Sequence, residues 1–384
     1  MDISVSAGHA AAPASASPAL FKSFFMGGFE CSSQRRRDGE RLDLIGQTEH
    51  DLFAEQDYRL LARHGMRTVR DGVRWHLIER EPRKFDLASF LPMLRAARDS
   101  GTQIIWDLFH YGWPDHLDIW DPEFVHRFAE FARVVARAVR DETDDIPLYT
   151  PVNEMSFFAW GGGDVEYLNP FARGRGGELK RILVRATIAA IDAIRETDPR
   201  ARFVAAEPLI HIFPQSDSPG DAAAAAGHNE SQFEATDLLC GRLEPELGGR
   251  PNYLDIFGVN YYYGNQWVDR GRTVYLGDGL HRPLSLLLSS AYHRYERPFF
   301  IAETGTEAGG RAPWLHYVCD EVRDARASGV PVEGICLYPI FDHRGWDDDR
   351  HCHNGMFCGI EPNGSRTVYT RLTSELARQV GLFE

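Results

Sequence analysis

Eight short apolar runs punctuate this 384-residue chain, and most are followed by a stretch in which apolar residues recur at steps of three and four. The runs span Phe24–Cys31, Arg67–Trp75, Gln103–His110, Ile146–Asn153, Arg202–Leu209, Leu254–Tyr262, Phe299–Ala302 and Gly334–Phe341. Short continuous apolar runs without strict alternation fit strands covered on both faces, as in a parallel sheet. Between them, Phe124, Phe128, Phe131, Val135 and Ala138 mark one helical stripe, and Leu179, Ile182, Ala186, Ala189 and Ala193 another. Eight strand–helix units without an internal linker predict a single α/β domain over residues 21–384, a (β/α)8 TIM barrel with enlarged βα loops. Residues 1–20, rich in Ala, Ser and Pro, read as a disordered leader. A doubly wound sheet is the rival fold, but it calls for a glycine-rich phosphate turn after the first strand. Gly27 and Gly28 lie inside that strand and Gly161 to Gly163 open no obvious helix, so neither supplies one.

A barrel gathers the C-terminal ends of its strands at one mouth, where active sites form. Arg70, His110, Asn153, Glu154, Glu207, Asn260, Tyr262, Glu303 and Asp342 all fall at or near such ends, on seven different strands. Two of them stand out, because Glu154 and Glu303 each close an apolar run. A carboxylate beside an apolar strand is costly unless something pairs with it or uses it, so two in matching contexts suggest one shared site. Paired carboxyl groups with opposite protonation are the working parts of glycosidic bond cleavage.

Charge and composition narrow the partners. A formal net charge of −14 argues against nucleic acid, whose binding depends on Lys and Arg neutralising phosphates. No apolar run approaches the ~18–20 residues of a membrane span, and the first twenty residues lack the basic and apolar regions of a secretory signal. Six scattered cysteines do not suggest a disulfide framework, and a reducing cytoplasm is the expected setting. No Ser or Cys sits in a nucleophile elbow and no Lys in a phosphate loop. His351, Cys352 and His353, with Cys358 and Asp347 to Asp349, read as a solvated loop rather than a zinc site, since adjacent extended residues face opposite ways. Arg35 to Arg37 likewise read as a solvated loop bordering the mouth. Neither a metal nor an organic cofactor is expected.

Several segments, in order, resemble glycoside hydrolase family 1 of clan A, the β-glucosidase and 6-phospho-β-glycosidase group. Tyr149-Thr150-Pro151-Val152-Asn153-Glu154 resembles the family's Thr-x-Asn-Glu-Pro acid/base motif, and Phe300-Ile301-Ala302-Glu303-Thr304-Gly305 its Ile-Thr-Glu-Asn-Gly nucleophile motif. Val69-Arg70 with Trp75, Leu108-Phe109-His110-Tyr111 with Pro114, and Phe257-Gly258-Val259-Asn260-Tyr261-Tyr262 are similar to further family segments, and Asp342 with Trp346 fits the last-strand segment. The resemblance runs from about Phe24 to Phe357.

This likeness implies a retaining β-glycosidase acting on a β-linked saccharide or glycoside. Glu303 would be the nucleophile and Glu154 the acid and then the base. Arg70 and Tyr262 would donate to Glu303, His110 and Asn153 would hold sugar hydroxyls, and Tyr338 and Trp346 would face the sugar. Gln34 loosely matches a sugar-binding glutamine. Met155 stands where the family has Pro, Tyr338 where it has Trp, and Gly345 where it has the glutamate that grips the sugar's outer hydroxyls. The altered pocket keeps two alternatives open: a transglycosylase of polysaccharide assembly and a noncatalytic carbohydrate-binding protein. Glu207, a third strand-end carboxylate, competes for a catalytic role.

Overall fold

The computed structural model describes residues 19–383, and eight parallel strands close into a barrel in chain order. They are β1 (Phe25–Gly28), β2 (Thr68–Gly72), β3 (Gln103–Asp107), β4 (Leu148–Thr150), β5 (Arg202–Pro208), β6 (Ile256–Asn260), β7 (Phe299–Thr304) and β8 (Val332–Leu337). Closure is made by β1 against β8, with Phe25 opposite Ile335 and Gly27 opposite Leu337. Each of the eight apolar runs overlaps a barrel strand; six contain theirs, whereas β7 extends two residues past its run, to Thr304, and β8 begins two residues before its run, at Val332. The leader expected over residues 1–20 falls largely on residues 1–18, outside the described residues. Leu20 is part of the folded structure, with its carbonyl accepting from the Gln103 amide at the barrel's closed end.

The outer layer holds α1 (His50–Arg63), α2 (Leu91–Ser100), α3 (Glu123–Glu142), α4 (Gly176–Thr197), α5 (Glu234–Leu239), α6 (Leu284–Tyr295), α7 (Arg311–Ala327) and α8 (Thr370–Phe383). In α3 the expected Phe124, Phe128, Phe131, Val135 and Ala138 are buried. In α4 the buried stripe runs through Leu179, Leu183, Ala186, Ala190 and Ala193, so Ile182 and Ala189 are each displaced by the next residue. Two small residues per turn there let α4 lie close to α3, which moves the contact line by one position.

Inside the barrel, one cluster joins Met26, Ile105, Leu148, Val204, Ala206, Ile256, Phe300, Ala302, Cys336 and Tyr338. Their spacing within each strand is two, as the alternation of a pleated strand requires. This packed layer closes the lumen below the mouth and forms the floor on which the polar strand ends stand. Gly28 serves that packing, since a Cβ there would come 2.1 Å from the Tyr338 ring. Above the mouth, short ladders stiffen the enlarged loops: His211–Phe213 with Gln266–Val268, and His343–Arg344 with His351–Cys352. Among the described residues, no helix is long and apolar enough to cross a membrane. All six cysteines are free thiols.

Candidate active site

The mouth opens into a cleft of about 1250 Å³, lined by Glu154 and Glu303 together with Glu30, His110, Tyr111 and Tyr262. Both glutamates are buried, at 9% and 4% exposure. Glu303 continues β7, where a register shift between Val259 and Asn260 on neighbouring β6 sets it opposite Asn260. Glu154 follows β4 in a left-handed backbone conformation, φ 47°, with its N–H donating to the Ala206 carbonyl. Tyr111 is left-handed too, with φ 68°. Such geometry is unfavourable for residues with side chains and concentrates at functional sites.

Hydrogen bonds join the two acids through three intervening side chains. Arg70 Nη1 donates to Glu303 Oε1 at 2.9 Å and Arg70 Nη2 to Asn153 Oδ1 at 3.0 Å. Asn153 Nδ2 donates to the Tyr111 hydroxyl at 3.3 Å, which donates to Glu154 Oε2 at 2.7 Å. The remaining oxygens are also bonded, Glu303 Oε2 by the Tyr262 hydroxyl at 2.7 Å and Glu154 Oε1 by Asn260 Nδ2 at 2.9 Å. The charge on Arg70 is balanced from a second side by Asp107, 2.7 Å from Nη2.

Burial pushes the carboxyl of Glu303 up to about 7, against the guanidinium of Arg70, with the charge of Glu154 adding to the rise. Burial raises Glu154 as well, against the hydrogen bonds from Tyr111 and Asn260, and Glu207 adds to the rise. Two buried acids that feel each other's charge do not both ionise readily near neutrality. Only Glu303 touches a guanidinium, so the negative charge settles on Glu303 and the shared proton on Glu154.

His110 is buried at the edge of the cleft, with Nδ1 3.2 Å from Cys31 Sγ and 3.6 Å from Asp107, and Nε2 3.4 Å from Asn153 Nδ2. Burial opposes charge on the ring, but the neighbouring carboxylates of Asp107 and Glu30 hold the imidazole well above its ordinary pKa. The Cys31 thiol is pushed up to about 12 by burial and stays protonated. It is a packing neighbour of the imidazole and not a nucleophile.

Other expected residues sit elsewhere. Glu207 is buried behind the cleft, where Oε2 accepts from the Ser156 N–H at 3.1 Å, and it does not line the cavity. Tyr338 lies below the cleft, its ring parallel to His110 at 6.1 Å and under the Arg70 guanidinium at 5.4 Å. It props the site instead of facing a ligand. Gln34 is buried against a separate cavity with Arg35, Arg36 and Arg37, and its Oε1 has no partner. Asp342 is taken up by the β8 loop, accepting from the Gly355 N–H at 2.8 Å. His351 and His353 both approach its Oδ2, at 3.5 and 3.2 Å, so these two side chains share one face, as residues two apart on a strand do. Carboxylate–imidazole pairing accounts for the contact. Trp346 does line the cleft, edge-on to Tyr111 at 5.6 Å. Trp160, Tyr263 and Trp267 line it further out, whereas Trp113 and Tyr261 are buried in packing.

Glu30, Tyr111 and Asp107 were missed. Glu30 and Asp107 carry a signal in the alternation of their strands, standing four and two residues beyond the inward-facing Met26 and Ile105. Tyr111 has no such signal, because its left-handed backbone breaks that alternation, and only the family-like segment Leu108-Phe109-His110-Tyr111 points to it.

No protein-family model and no curated protein sequence matches the chain. Solved structures do match in shape. Family 1 β-glucosidase from Thermotoga maritima aligns with TM-score 0.75 and 16% identity, over 95% of this chain and 99% of that one. The Thermotoga maritima β-glucosidase in complex with glucoimidazole gives 0.74 and 16%, over 93% and 98%. The AHE enzyme from Alicyclobacillus herbarius gives 0.76 and 17%, over 94% and 98%. The chain therefore has, along nearly its whole length, the (β/α)8 fold of the family 1 β-glucosidases, in a highly diverged sequence.

Proposed function

We propose that this chain is a retaining β-glycosidase acting on a β-linked saccharide or glycoside by double displacement. The observation that carries the reading is the hydrogen-bonded path from Glu303 through Arg70, Asn153 and Tyr111 to Glu154, with a guanidinium on one acid only. That asymmetry suits two roles. Ionised Glu303 attacks the anomeric carbon while Glu154 gives its proton to the departing glycosidic oxygen, leaving a glycosyl ester on Glu303. Esterification removes the negative charge of Glu303, so the acidity of Glu154 rises and its carboxylate can take a proton from water. That water attacks the same carbon, breaks the ester and restores both acids, with net retention of configuration.

Asn153 and His110 present donors beside the acids, suited to sugar hydroxyls whose binding strengthens at the transition state. The aromatic faces of Trp346, Trp160, Tyr263 and Trp267 along the cleft suit the apolar C–H faces of successive sugar rings.

Incubation with a panel of 2-deoxy-2-fluoro β-glycosides followed by intact-mass and peptide analysis tests this reading. A single sugar adduct on Glu303, released as free sugar with the β-configuration at its first appearance by proton NMR, is the expected result. Release as a longer glycan on an added acceptor would make the chain a transglycosylase. Absence of any adduct together with absence of turnover would leave only carbohydrate binding.

A further inference from the structure

Next to the two carboxylates that the chemistry above uses, a third stands beside His110 on the cleft lining. The third is Glu30, two residues past the end of β1 and 8% exposed. Its Oε1 accepts from the Ser32 N–H at 3.0 Å and the Ser32 hydroxyl at 2.6 Å. Among the described residues, no protein donor reaches its Oε2, and that oxygen is not sealed in. By contrast, all four oxygens of Glu154 and Glu303 have protein donors. A buried carboxylate with one oxygen anchored and the other left open to a cavity is costly unless a donor arrives from outside.

The immediate surroundings say what that donor is. His110 Nε2 lies 3.7 Å from Glu30 Oε1 and Asn153 Nδ2 3.4 Å from the same ring nitrogen, so an acceptor and two donors stand side by side within reach of the catalytic pair. Such a row fits neighbouring hydroxyls on one ring, each able to give and take a hydrogen bond. On the opposite wall position 345 has no side chain, and the Asp348 carboxylate that fills the space a Cβ there would need already accepts from the Arg350 N–H at 3.1 Å. Gln34 faces the separate cavity beside the arginine loop. The cations on the cleft wall are already matched, Lys180 with Glu234 and Arg350 with Glu307. Among the described residues, no Lys or Arg of the cleft lining is left without a carboxylate, and the His110 imidazole already faces Asp107 at 3.6 Å, so nothing is left free to welcome an anionic sugar.

We infer that Glu30 is the substrate-recognition residue of the sugar subsite, its Oε2 accepting from a ring hydroxyl, and that it selects neutral pyranosides against uronides and phosphosugars. The recognition of outer hydroxyls has thereby moved from the β8 loop to the end of β1. This rests on the glycosidase reading and deepens it by naming the substrate class.

The test compares wild type and Glu30→Gln on 4-nitrophenyl β-glucoside, β-galactoside, β-xyloside and β-glucuronide, and on monodeoxy forms of the best of them. On the best neutral substrate the variant is expected to lose about 10- to 100-fold in kcat/KM, the scale of a hydrogen bond to a charged group. Its preference for neutral sugar over glucuronide should narrow. Deleting one hydroxyl should cost wild type about tenfold and the variant little, a coupling that a merely structural role would not produce. Should Glu30→Gln not fold, Ser32→Ala keeps the carboxylate, removes one donor that aims it, and is expected to reduce the same coupling. Variants within twofold of wild type on all four glycosides, or equal hydroxyl penalties in both proteins, overturn the inference. A wild-type chain that neither turns over nor is labelled by any fluorosugar overturns the glycosidase reading itself, and this inference with it.

Discussion

At the floor of the cleft, Glu154 and Glu303 have each carboxylate oxygen tied to a residue on or just past another strand, whereas the wall beyond β8 contributes a glycine at 345, an indole at 346 and acids paired with arginines of the loops. The floor inherits its geometry from the sheet, because register places each strand end relative to the next. The wall is a hairpin whose polar groups pair with one another and with the loop after β1, Arg344 with both Asp349 and Glu40, and Asp349 also with Arg36. On the glycosidase reading, reaction type resides in the strand ends that the barrel holds rigid, and the share of sugar preference that Glu30 does not set lies in loops free to change with sequence. The loss of a side chain at 345 leaves the floor intact.

The comparison breaks most completely at the nucleophile. Glu303→Gln is expected to lower turnover of every glycoside by at least ~10⁴-fold while Tm changes little, because the amide oxygen keeps the bond from Arg70 and the amide NH2 can donate to the Tyr262 hydroxyl oxygen, but the amide cannot form the ester. Steady-state rates with an aryl glycoside and a thermal melt measure both. Residual activity within tenfold of wild type would remove Glu303 from the chemistry.

Glu154→Gln should divide by leaving group. With an activated nitrophenyl aglycone, which departs without a proton, glycosylation is nearly spared; with an alkyl or sugar aglycone the loss should reach ~10²- to 10⁴-fold. Azide, which attacks without a base, should restore turnover of the activated substrate. Uniform loss across leaving groups, without rescue, would contradict the acid role.

A smaller effect sharpens the same contrast. The Tyr111 hydroxyl stabilises ionised Glu154, so Tyr111→Phe should raise the pKa of Glu154 further. The acid then stays protonated to higher pH, and the alkaline limb of the kcat/KM profile moves up, with roughly a tenfold loss at the optimum. A limb that stays in place or moves down would show that this tyrosine does not tune the acid.

Most of the floor was legible because strand ends are written in apolar runs. His110, Asn153 and Tyr262 close such runs, Arg70 and Asn260 lie within them, and the sheet brings all five together whatever the loops do. The alternation of side chains, read one step further, also points Glu30 and Asp107 inward. It fails where the backbone turns left-handed, at Tyr111 and Glu154, because there the side chain leaves the pleat. It misleads at Tyr338 in another way: parity sends this ring into the lumen, but the small Gly28 lets it sink beneath Arg70, below any ligand. Gln34 and Asp342 belong to loops, and no period in the sequence fixes where a loop turns.

Glu207 supplies the weakest and most diagnostic perturbation, since it resembles the two acids in sequence context and differs in surroundings. It lies outside the cleft, with one oxygen on the Ser156 N–H and the other unpartnered. Glu207→Gln keeps the first contact and should leave kcat/KM within a few-fold of wild type. Its mark should fall on stability instead. Burial raises this carboxyl from an ordinary 4.5 to about 7, against the Ser156 hydrogen bonds, so between those values the folded chain holds a proton that the unfolded chain has released. Stability of the wild type therefore falls as pH rises through that window, by up to about 3 kcal/mol, and the glutamine variant escapes the loss. Melts at pH 4.5 and 7.5 should show the variant gaining on wild type as the buffer becomes more alkaline. If the gap stays constant across that range, Glu207 does not titrate in the fold, and if kcat/KM collapses with the gap, the third acid belongs to the chemistry after all.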